Sequence, residues 1–83
     1  MANVQITEQS KSLFIAYFND AGNWNGNPAI GHNVGDKPAN KGNLTQLKGA
    51  GLVTAWVDEG HAWLSFTQLG LEYAAEIGLL KDF

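Results

Sequence analysis

"LTQLKGAGLVTAWVDEGHAWLSFTQLGLEYAAEI", residues 44–77, is the stretch on which the fold turns. Leu44, Leu47 and Ala50 form an apolar stripe at helical spacing that stops at Gly51. Asn43 ahead of Gln46 has the spacing of a capping box. A helix ending at Ala50 is therefore predicted, starting either at Asn43 or with an earlier turn through Asn40, Lys41 and Gly42. "LVTAWV" (52–57) and "AWLSFT" (62–67) are rich in β-branched and aromatic residues and flank "DEGH", which predicts a hairpin. Thr67 then caps a last helix carrying Leu69, Tyr73 and Ile77 on one stripe and closing on Gly78.

Toward the N-terminus, "TEQSKSLFIAYFND" places Leu13, Phe14, Tyr17 and Phe18 on one helical face, with Thr7 as cap and Glu8 in the first turn. Asn19, Asp20 and Gly22 supply the stop. Between this helix and the next lies "GNWNGNPAIGHNVGDKPANKGN", residues 22–43, with five glycines, six asparagines and both prolines. Such a composition reads as a turn-rich connection, with room for a short extra strand around Ala29 and Ile30. The tail "LLKDF" is apolar for an exposed terminus.

At 83 residues the chain is sized for one domain, taken here as 1–83, with a single modest core. Its 45% hydrophobic content and net charge of −3 exclude the disordered class. The absence of cysteine removes disulfides, thiolate zinc sites and thiol nucleophiles. No basic patch precedes an apolar run in "MANVQITEQSK", and no stretch approaches the roughly 20 apolar residues of a membrane span. The expectation is an unprocessed cytoplasmic protein that does not enter the membrane.

Residues 44–77 resemble the second half of a winged helix-turn-helix domain of the kind found in bacterial MarR-like and PadR-like regulators. Such domains follow a recognition helix ending "L..L...GLV" with a two-stranded wing, after which "L.LT..G" opens the next helix. Leu44, Leu47, Gly51, Leu52 and Val53 match the first part, and Leu64, Phe66, Thr67 and Gly70 the second. The resemblance implies a small α+β winged helix-turn-helix fold, a three-helix core with a two-stranded β-hairpin wing. It also implies a DNA-binding transcriptional regulator, whose small size suits a phage or plasmid. The chain departs from the family ahead of the recognition helix, where "NPAIGHNVGDKPAN" replaces the usual first helix of the motif. Gly31, Gly35 and Pro38 are poor helix material, so that place is read as a short irregular helix or a loop.

Other chemistries find little footing. Gly31 and Gly35 are too closely spaced for a Walker-type loop, and Asp36 would repel a phosphate there. His32 and His61 read as solvated loop residues rather than metal ligands, and no nucleophile motif is present, so no catalysis, metal or cofactor is expected. Charge is more informative by region: residues 29–51 carry Lys37, Lys41 and Lys48 against Asp36, a net of +2, while residues 52–83 carry a net of −4. The three lysines are candidate phosphate contacts, and Asn40, Asn43 and Gln46 are side chains able to bond an adenine edge. Opposing this are the absence of arginine, the acidic wing tip Asp58 and Glu59, and the pI near 5.0.

The tryptophans carry a second reading. A four-residue wing loop puts Trp56 opposite Trp63 on one face, whereas a three-residue loop with a bulge at Gly60 separates them. Two exposed tryptophans on one side of the hairpin, with Leu79, Leu80 and Phe83 of the tail, would form a protein-contact surface. Two functions are thus expected from this chain: binding of double-stranded DNA, or contact with protein by homodimerisation or capture of a host protein.

Overall fold

The computed structural model describes residues 4–32, 34 and 37–79. Helix α1 spans Glu8–Asp20 and continues as a single 3-10 turn over Ala21–Asn23. Thr7 caps α1 as expected, its hydroxyl accepting from Ser10 N. Helix α2 spans Asn40–Gly49, strands β1 and β2 span Val53–Asp58 and His61–Phe66, and helix α3 spans Gln68–Glu76. The architecture is a small α+β fold of three helices and an antiparallel hairpin, compatible with a winged helix.

Helix α2 starts one turn before Asn43, so Asn43 is not its cap. Lys37 and Pro38 turn the chain into the helix, Asn40 N donating to Lys37 O and Lys41 N to Pro38 O. The N-cap is Ala39, which offers no side-chain bond. At the far end Gly51 adopts a φ of +80°, which lets Leu52 N bond back to Leu47 O and turn the chain sharply into β1.

The hairpin takes the register expected of a four-residue loop, but pairing runs further than expected and the loop is shorter than either length considered. Trp56 lies opposite Trp63 and Val57 opposite Ala62, and pairing continues to Asp58 and His61. Only Glu59 and Gly60 remain in the turn, with φ of 53° and 80°, the left-handed pair that matches strand twist in a two-residue hairpin.

The segment in place of the usual first motif helix is a turn-and-bridge structure, and its described residues contain no helix between Trp24 and Ala39. Ala29 bridges to Trp63, with Ile30 N donating to Ala62 O and Leu64 N to Pro28 O. Where a short extra strand was expected around Ala29 and Ile30, there is an isolated bridge to β2 and no strand. The sheet itself is two-stranded, β1 beside β2.

Phe14, Leu47, Leu52 and Leu64 are fully buried in one core with Leu13, Phe18 and Tyr73. Phe14 sits edge-on to both Phe66 and Tyr73, at centroid distances of 5.5 and 5.2 Å, and so ties α1 to β2 and α3. Among the described residues, no helix is long and apolar enough to cross a membrane.

Candidate functional site

Helix α2 divides its residues by face. Lys41, Gly42, Thr45, Lys48 and Gly49 are exposed, and at 100° per residue they fall within about 120° of one another. That outward sector holds two cations, a hydroxyl and two glycines, with no carboxylate. A Cβ added at Gly42 or Gly49 would meet nothing within 4 Å, so the surface there is low and open. Lys37 is also exposed, in the turn that leads into the helix. No acidic residue occupies the first turn of α2, and Lys48 lies in its last. Asp36 lies outside the described residues.

The inward sector explains the polar residues expected to read bases. Gln46 Oε1 accepts from Thr7 N at 2.8 Å and from Thr7 Oγ1 at 3.2 Å, locking α2 onto the start of α1. Ser10, fully buried, directs its hydroxyl at both the backbone oxygen and Oδ1 of Asn43, each at 3.4 Å. Asn43 Nδ2 donates in turn to Asn40 Oδ1. Asn40, Asn43 and Gln46 thus form a polar seam between the helices and stand on a different face from Lys41 and Lys48. Asn43 and Gln46 were legible as hydrogen-bonding residues, but partners more than 30 residues away in sequence were not.

The tryptophan pair is unequally exposed. Trp56 is 42% exposed and its neighbour Val57 72%, whereas Trp63 is half-buried against Trp24. A shallow groove of about 320 Å³ runs between α2 and the hairpin, lined by Leu44, Lys48, Ala55, Trp56 and Val57 among others. Leu79 packs on the protein's own core, and Leu80 and Phe83 lie outside the described residues. The tail therefore adds nothing described to the Trp56 surface.

A second cavity, of about 440 Å³, shares Ile30 and Ala62 with that groove and was not foreseen from the sequence. Trp24 and Trp63, which meet edge to face at 5.5 Å, line it together with Ile30, His32, His61 and Ala62. Asp20 positions Trp24: one carboxylate oxygen accepts from the indole Nε1 and the other from Asn23 Nδ2, both at 3.0 Å. The spacing of Asp20 to Trp24, one turn apart, is the signal that could have disclosed this clamp. Among the described residues, no three His, Cys, Asp or Glu side chains converge as metal ligands.

Tyr17 is 1% exposed, and its hydroxyl makes no hydrogen bond to a described residue. Burial pushes its pKa above the ordinary phenol value; the nearby Gly31 backbone opposes the shift and the Asp20 carboxylate reinforces it.

Comparison with protein families, curated proteins and solved structures finds no match for this chain.

Proposed function

We propose that the chain binds duplex DNA through phosphate contacts made by the outward face of α2. The observation that carries this reading is the composition of that face: Lys41, Gly42, Thr45, Lys48 and Gly49, with no carboxylate among them. Two lysines one side apart by two turns can each neutralise a phosphate, while the glycines let a sugar-phosphate strand approach the helix backbone. Lys37 adds a third cation beside the positive end of the helix dipole. The α+β arrangement supports the reading too, because a helix followed by a hairpin is how winged domains present a helix to a groove.

The same geometry sets its limits. With the Oε1 of Gln46 and the Oδ1 of Asn43 bonded to α1, these side chains are turned from any duplex lying on the lysine face. Binding is then largely independent of sequence. Asp58 and Glu59 at the hairpin tip would repel phosphate, so the tip is held away from the backbone.

Fluorescence anisotropy with two unrelated duplexes over a range of salt tests this. Two or three phosphate contacts give a slope of log affinity against log salt of about −2 to −3. Lys41→Glu should weaken both duplexes alike and flatten that slope. Asn43→Ala should lower thermal stability and leave the ratio between duplexes unchanged. Absence of binding at about 50 mM salt, for wild type and an Asp58→Lys, Glu59→Lys variant alike, would remove the DNA reading.

A second reading, contact with protein, is favoured by a separate observation: the exposure of Trp56 and Val57 on β1.

A further inference from the structure

Among the described residues, strand β1 is hydrogen-bonded on one side only. Its inner side pairs with β2 over all six residues, and the far side of β2 is taken by the Ala29 bridge. No described residue bonds to the outer side of β1 between Thr54 and Asp58. Such an open edge is a template for another strand, and folded proteins blunt it with lysine, proline, a bulge or a covering segment. "VTAWVD" has none of the first three, its register with β2 is unbroken, and Thr54 through Asp58 are all exposed.

We propose that β1 pairs antiparallel with β1 of a second copy of this chain across a two-fold axis centred on Trp56. This inference concerns β1 and stands apart from DNA binding by α2. The case for a second copy is that the strand complements itself. A two-fold axis normal to the sheet keeps each face on its own side, so residues of like parity must oppose one another. The register centred on Trp56 satisfies this. It sets Trp56 against the partner's Trp56, Ala55 against the partner's Val57, and Asp58 against the partner's Thr54. The one charge in the strand thus meets a hydroxyl instead of another charge. The strand's two exposed large apolar side chains, Trp56 and Val57, become covered. Paired indoles across strands are a favourable cross-strand contact.

Sedimentation equilibrium and light scattering on the whole chain test the proposal. Wild type should show a concentration-dependent rise to twice the 8.9 kDa chain mass. Trp56→Lys and Trp56→Glu should each stay at the single-chain mass with far-UV circular dichroism retained, because the side chain lies outside the core. Val57→Lys should behave likewise. An equimolar mixture of Trp56→Lys and Trp56→Glu should recover the doubled mass, since the axis places the two new charges face to face. A wild type that stays monomeric at about 1 mM overturns the proposal. So does a Trp56→Lys chain that still dimerises, or a mixture that does not reassociate.

Discussion

Gly70 shows how a single position can fix the approach of two elements. A Cβ there would land on the carbonyl oxygen of Leu52, so only glycine lets α3 pack against the start of β1. Gly70→Ala should cost about 1–3 kcal/mol in chemical denaturation, the range for forcing atoms into a packed site. Gly42 is the opposite case, exposed in α2 with nothing near its missing Cβ. Gly42→Ala should stabilise by about 0.5–1 kcal/mol by the same measurement, through helix propensity alone. Tyr17 makes a pH prediction. Its folded pKa is raised by burial, and that of Tyr73 is raised by burial and by the carboxylates of Glu8 and Glu76. The unfolded chain therefore loses phenolic protons first, so this contribution to stability is intact below pH about 10 and declines as pH rises through the folded values. Denaturation midpoints followed from pH about 8 to 11 should fall at the alkaline end, and less steeply in Tyr17→Phe. A steeper fall in that variant would contradict the account.

Among the elements, those defined by local periodicity were legible and those defined by distant partners were not. The apolar stripes of α1 and α3 and their Thr7 and Thr67 caps repeat within a few residues, so they could be read directly. The start of α2 was ambiguous because Asn43 and Gln46 advertise a cap, yet their acceptors serve α1. Residues 22–39 were harder still. Their hydrogen bonds run to Ala62 and Leu64, and Trp24 packs on Trp63, none of which follows from composition. The hairpin occupies a middle position: its strands were plain, but the choice of register needed the turn. Glu59 holds a φ of 53° there, a conformation costing a residue of its type about 1 kcal/mol that asparagine tolerates well. Glu59→Asn should raise the thermal midpoint by a few degrees, as expected for a small domain gaining about 1 kcal/mol. An unchanged or lower midpoint would mean that the turn is relaxed by other means.

For the molecule as a whole, sign and shape diverge. The chain carries a net charge of −3, yet three of its five lysines, Lys37, Lys41 and Lys48, lie on α2 and the turn before it, while Asp58 and Glu59 project from the hairpin tip. Local fields of this kind can attract a polyanion to one face despite a negative total, provided that salt does not screen them. The core beneath is shared by all three helices and the hairpin, so α2 is a rigid platform for the lysines. The exposed edge of β1 is a different surface, and the two need not compete. The most direct test of the lysine face is an amide chemical-shift map of the labelled protein titrated with a short mixed-sequence duplex at low salt. The account predicts shifts concentrated on Lys41, Gly42, Thr45, Lys48 and Gly49, and on Lys37 ahead of them, with little change at Trp56 and Val57. Shifts confined to β1, or no shifts at all, would contradict it.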